Sequence, residues 1–245
     1  MRLLLALAVL LTLATARAEV FGPGETARYD VSWLGLKAGE ATMSVGQATV
    51  RDGQTLWPYV CLAKTASVAS VYPIDDRFVT YWNPSLDTTP GSEFFANENS
   101  KRRRERVTLD RVEGVASVVR QKEGHGPVQT QYPLQADALD VAATLLKLRE
   151  SPFTVGEVRT VAVFTGDRSF DAQVVVESLM RLQTALGDKD VFKVRISSQF
   201  NGKLATSRDL RVYFSADRYQ IPLRVEADFV LGPVVATLVS FAPGL

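Results

Sequence analysis

The chain has one cysteine, Cys61, and one histidine, His125, among 245 residues. A single cysteine excludes any disulfide within the chain, even in an oxidising compartment. A single histidine excludes zinc sites built on several His or Cys ligands. It also leaves any Ser-His-Asp or Cys-His mechanism dependent on His125 alone. That residue sits in Glu123-Gly124-His125-Gly126-Pro127, a turn composition in which an imidazole meets water. An excess of one charge is missing too: 28 Lys and Arg face 27 Asp and Glu. Such a balance offers no electrostatic footprint for nucleic acid. Phosphate-cradling glycine loops, nucleophile elbows and metalloprotease helices are absent from the sequence. No catalytic residue, no metal ligand and no cofactor is therefore expected, and an enzyme is the less favoured class.

Long apolar runs are missing after the first eighteen residues. Before that point Arg2 supplies a positive start, Leu3 to Leu13 an apolar stretch, and Ala16-Arg17-Ala18 a small-x-small cleavage signal. The apolar stretch is about half of what a bilayer-spanning helix needs. The expectation is a signal peptide over 1–18, cleaved after Ala18, and a periplasmic protein with no transmembrane span. No twin-arginine pair precedes the apolar stretch and no cysteine directly follows Ala18, so general secretory export without a lipid anchor is expected. Residues 19–245 suffice for a single β-rich domain.

What is present is alternation. Ala27, Tyr29, Val31 and Trp33 alternate with Arg28, Asp30 and Ser32, and Leu36 to Glu40 reads as a hairpin turn before Ala41, Met43 and Val45. Similar short runs recur to Val234, Ala236 and Leu238, separated by Gly, Asn, Asp and Pro. One segment departs from this: 137–149 spaces Leu139, Ala142, Ala143 and Leu146 as one face of a helix, with Asp137 as its cap or a first-turn acid and Ser151-Pro152 as its stop. A second, shorter helical turn is expected at 66–72. The fold class is mainly β, a large antiparallel curled sheet forming a barrel or half-barrel, with one central amphipathic helix at about 137–149 on or inside its concave face.

Few residues stand out as a site. Lys101 to Arg106 forms a basic run that could hold a phosphate or a lipid headgroup through forked guanidinium contacts. On a strand, however, its alternate arginines face opposite sides, and such charge also discourages edge pairing. Glu93, Glu98 and Glu105 stand near enough in sequence to neutralise it. Asp75 and Asp76 are adjacent, so a strand sends them to opposite faces rather than making an acid-base pair. Cys61, between Val60 and Leu62, reads as a small buried hydrophobe.

Punctuation points also recur in a familiar order. Phe21-x-Pro23-Gly24-Glu25 leads through Tyr29 and Trp33 to Gly35 and Ala38-Gly39-x-Ala41. Later come Tyr72-x-Ile74-x-Asp76, Asp137-Ala138-Leu139, Leu186-Gly187, Ser215-x-Asp217, Ile221-Pro222 and Gly232-x-Val234. This order resembles the exported bacterial family known as domain of unknown function 3108, over nearly the whole chain after the leader. The resemblance implies an envelope protein, mostly β, with no agreed catalytic residues. Its motif residues read as architecture: Gly24, Gly35 and Gly39 for turns, Pro222 for a strand start, Trp33 for the core.

A curled sheet with one helix commonly leaves an apolar cavity. The function expected is binding or carrying an apolar or amphiphilic envelope molecule, a lipid for example. Tyr29, Trp33 and Leu146 would form the apolar wall, with Arg102 and Arg104 for a headgroup. A concave face filled completely by helix and core side chains would contradict this. The alternatives are an assembly factor contacting another envelope protein through a strand edge, and a hydrolase using paired carboxylates.

Overall fold

The alternating segments form strands almost wherever the period of two is clear. The computed structural model describes residues 19–66, 73–198, 210–229 and 232–244. Within these, in chain order, are β1 (Thr26–Trp33), β2 (Leu36–Val45), β3 (Thr49–Arg51), β4 (Gln54–Thr65), β5 (Asp75–Trp82), β6 (Gly91–Glu98), β7 (Lys101–Asp110) and β8 (Val115–Lys122). Then follow β9 (Val128–Pro133), β10 (Leu139–Asp140), the helix α1 (Val141–Arg149), β11 (Val158–Phe164) and β12 (Ser169–Thr184). The last are β13 (Gly187–Ser198), β14 (Leu210–Ser215), β15 (Pro222–Phe229) and β16 (Gly232–Ala242). The leader 1–18 and nearly all of the expected helical turn at 66–72 lie outside the described residues.

One 16-stranded sheet runs β10-β11-β12-β13-β14-β15-β16-β1-β2-β4-β5-β6-β7-β8-β9, with β3 paired to β4 alone. Neighbours are antiparallel except β10 and β11. The sheet curls without closing, and its two ends overlap. Ala162 and Phe164 on one face of β11 pack on Val107, Leu109, Ala116 and Val118 of β7 and β8. Val161 on the other face packs with Val174, Val194 and Phe214. β11 is thus covered on both sides, which protects an end of the sheet from unwanted pairing. Side chains stitch the seam: Gln135 Nε2 donates to Asp171 Oδ1 at 3.2 Å, and Arg120 Nη2 to the Gly166 carbonyl at 2.6 Å.

The helix lies inside the curl. Its start differs from the sequence expectation of 137, because Leu139 and Asp140 pair with Val163 and Phe164 as a short strand. Asp140, not Asp137, is the cap: its Oδ1 accepts from the amides of Ala142 and Ala143 at 3.0 and 2.9 Å. Ala142, Ala143 and Leu146 pack among Phe21, Val45, Trp57, Tyr59 and Trp82. Leu146 is fully buried, so Leu146→Ala is expected to destabilise the protein by about 2–5 kcal/mol, read by urea unfolding.

Two further expectations are corrected. The β1–β2 turn is Leu34-Gly35, with Leu36 already in register opposite Trp33. Gly39 therefore serves a strand rather than a turn: a Cβ there would sit 2.3 Å from the Lys64 carbonyl oxygen. Trp33, expected in the core, is 45% exposed, because it ends β1 beyond the point where an opposing layer covers the sheet.

Candidate functional site

The inside of the curl has two unlike halves along the strand direction. The half containing the start of β1 and the C-terminal end of α1 is plugged. There Arg149 Nη1 and Nη2 meet Glu25 Oε1 and Oε2 at 2.7 and 2.9 Å, and Arg149 Nε donates to the Tyr219 carbonyl at 3.1 Å. Both charged side chains are almost wholly buried. The Phe21 ring lies 5.3 Å from the guanidinium. Burial alone would lower the pKa of Arg149, but the forked Glu25 contact outweighs it and holds the guanidinium charged. The Gln220 side chain closes the end of the helix by donating to the Arg149 and Ser151 carbonyls. Glu25 also closes the opening turn, through its backbone N–H on the Gly22 carbonyl at 3.1 Å.

A second buried polar group sits at the helix start. Asp140 Oδ2 lies 2.5 Å from Thr80 Oγ1, which lies 3.1 Å from Thr89 Oγ1. Thr89 in turn donates to the Gly91 carbonyl at 2.9 Å. A protonated Asp140 lets the chain run Asp140 to Thr80 to Thr89 to Gly91 with one hydrogen at each link. Burial pushes the Asp140 pKa up to about 6, against the hydrogen bonds that its charged form accepts from Thr80 and the two helix amides.

The other half of the interior is less deeply buried. Registers place Val31, Ala41, Met43, Cys61, Ala63, Phe78, Phe94, Val225 and Ala236 on the same inner rows as the buried Tyr29, Val45, Tyr59 and Trp82. All nine lie nearer the β1–β2 turn, and eight are only partly buried, with Ala63 exposed. Met43, Cys61 and Phe78 pack against the cluster that holds the helix, and Ala41 and Ala236 against the Tyr29 cluster, so these apolar rows continue the core with part of their surface exposed. At its rim, Arg103 stacks over Phe94 at 5.4 Å and stands 3.9 Å from Glu98, with Lys122 opposite it in register. Asp76 is on this inner row too, and burial raises its pKa. Asp75 points outward, 4.0 Å from Lys64, as strand alternation required. Burial also pushes the Cys61 thiol up to about 12, so it stays neutral and unreactive.

The residues singled out from sequence do not converge. Tyr29 is buried and its hydroxyl donates to the Pro222 carbonyl at 3.0 Å. Leu146 is in the plug. Arg102 and Arg104 lie on the outer face; with Arg77, Phe95 and Asn97, and with Arg103 and Lys122 of the inner rows, they line a groove of about 370 Å³. Arg104 stacks over Phe95 at 4.8 Å and meets Glu93 at 3.5 Å. Glu93 and Glu98 therefore do take up part of the basic run, while Glu105 pairs with Arg120 at 2.6 Å instead. A cavity of about 150 Å³ beside Phe21, Trp57 and Trp82 marks the plugged end. No group of three or more His, Cys, Asp or Glu able to hold a metal occurs among the described residues.

A family model matches residues 28–239, and its description is a protein of unknown function, DUF3108. The chain belongs to the DUF3108 family. Among solved structures, a β-barrel-like DUF1849 protein from Brucella abortus has a TM-score of 0.60 at 12% identity, over 91% of this chain and 99% of that one. An exported protein with a YmcC-like fold from Bacteroides fragilis reaches 0.36 at 10% identity, over 91% and 98%. A lipoprotein from Parabacteroides distasonis reaches 0.34 at 10% identity with the same coverage. No curated protein matches. The DUF3108 domain thus has a β-barrel-like fold that a second family of unknown function shares. No helix among the described residues is long and apolar enough to cross a membrane.

Proposed function

We propose that this DUF3108 protein is exported to the periplasm, where it binds an amphiphilic envelope molecule at the open end of its curled sheet. The observation carrying this reading is the split of one set of apolar inner rows, buried at the helix end and partly exposed at the other. Covering the remaining exposed apolar surface of Val31, Met43, Phe78 and Phe94 would stabilise the protein at about 25 cal/mol per Å², and a bound apolar chain supplies that cover. Apolar chains would lie against Met43, Phe78 and Phe94. A polar or anionic head would meet Arg103 and Lys122 at the rim. Tyr29 and Leu146 would shape the floor from behind rather than touch the ligand, and Arg102 and Arg104 would lie outside the site.

Saturable binding of an environment-sensitive apolar dye tests this. Ala63→Arg puts a charge on the exposed inner wall opposite Asp76, where the fold tolerates it. Dye affinity is expected to fall at least tenfold with little change in thermal midpoint. Unchanged affinity in Ala63→Arg, or no saturable binding by the native chain, contradicts the reading.

The assembly-factor alternative draws on β9, which pairs with β8 along one edge and is mostly exposed. It predicts a co-purifying protein whose release follows from Gln129→Pro, with dye binding intact. A paired-carboxylate hydrolase has less support. Glu25 is committed to Arg149 and Asp140 to the helix cap.

A further inference from the structure

The β1–β2 turn departs from the turn chemistry used elsewhere in the protein. Its central residues, Leu34 and Gly35, have φ of 52° and 81°, the left-handed pair of a type I′ hairpin turn. Equivalent two-residue turns are filled by Asp52-Gly53 between β3 and β4 and by Asn99-Ser100 between β6 and β7. Those are residues that tolerate positive φ or bond locally; leucine does neither. Among the described residues Leu34 is the one apolar side chain at positive φ, beside Asp52, Asp87, Asn99, Ser100 and Gln220.

Burial does not compensate. Leu34 is 58% exposed, Leu36 75% and Trp33 45%. The tip is also not alone. Leu34 N–H donates to the Pro233 carbonyl at 3.2 Å, and a Cβ on Gly232 would sit 2.3 Å from Leu34 Cδ2. The adjacent charge, Lys37, is neutralised by Asp30 and Glu40 at 2.9 and 3.1 Å.

We propose that this tip inserts into the surface of a lipid bilayer and sets the open end of the curl against it. The purpose rests on the binding reading above; the insertion rests on the tip itself. One two-residue turn offers far less than the roughly 800 Å² per side of a stable protein interface. A small projection of leucines with a tryptophan at its base suits the bilayer interface, where tryptophan settles at headgroup level.

Vesicle flotation of the exported chain, on phosphatidylethanolamine with and without phosphatidylglycerol, tests this. Leu34→Asn suits the positive φ better than leucine and Leu36→Thr keeps a strand former at the start of β2, so the thermal midpoint of the double variant should hold or rise. Flotation is expected to weaken at least tenfold. Val112→Asn, altering a side chain 93% exposed in the β7–β8 turn at the opposite end, should float as native. Failure of the native chain to float, undiminished flotation of the double variant, or an equal loss in Val112→Asn overturns the inference. Ala63→Arg separates the two readings. A chain that floats without binding dye sinks the binding site alone, and one that binds dye without floating sinks the insertion alone.

Discussion

Arg149→Met is expected to destabilise the protein by about 3–5 kcal/mol, the largest single loss outside the apolar core, because it leaves Glu25 buried without its counter-charge. The forked contact joins the last turn of α1 to the opening of β1, 124 residues away, while Nε fixes the loop before β15. One side chain thus ties helix, first strand and late loop into the plug. Glu25→Leu combined with Arg149→Met should recover most of the loss, since an apolar pair of similar volume carries no desolvation cost. Urea unfolding of the two single variants and the double gives the coupling. Additive losses would show that the pair is not the unit described.

Asp140→Asn is expected to change the pH dependence of stability rather than stability at one pH. Folded Asp140 holds its proton up to about pH 6, against about 3.9 when unfolded. The stabilisation that this shift represents is complete below about pH 4 and is lost as pH rises through 6. At about 1.4 kcal/mol per unit it amounts to roughly 2–3 kcal/mol. Asparagine caps the helix equally well and does not titrate in this range. Relative to native, the variant should gain that amount between pH 4 and pH 7 in urea unfolding. A constant difference across this window would place the titration elsewhere.

Much of the architecture was legible because alternation of period two is a strong local signal. Tyr29, Val31 and Trp33 predicted β1, and the leucine spacing around Leu146 predicted a helix on or inside the concave face of a curled sheet. The boundary at Val141 was missed because Leu139 and Asp140 gain more by pairing with β11 than by extending the helix. The overlap of β11 on β7 and β8 was illegible, since it joins residues about fifty apart in sequence through packing alone. The basic run contained its own answer. Alternation already sent Arg102 and Arg104 away from the face of Tyr29 and left Arg103 on the inner one. The inner wall itself was spread over separate strands, with Cys61 and Ala63 on β4 and Phe78 on β5, and only their register brings them together.

The most direct measurement is native mass spectrometry, with organic extraction, of the chain purified from a bacterial periplasm after export. The binding account predicts an adduct of lipid size on the native protein, absent from Ala63→Arg at the same thermal midpoint and retained in Leu34→Asn. A bare mass for the native chain, or an adduct that Ala63→Arg carries equally, would contradict it.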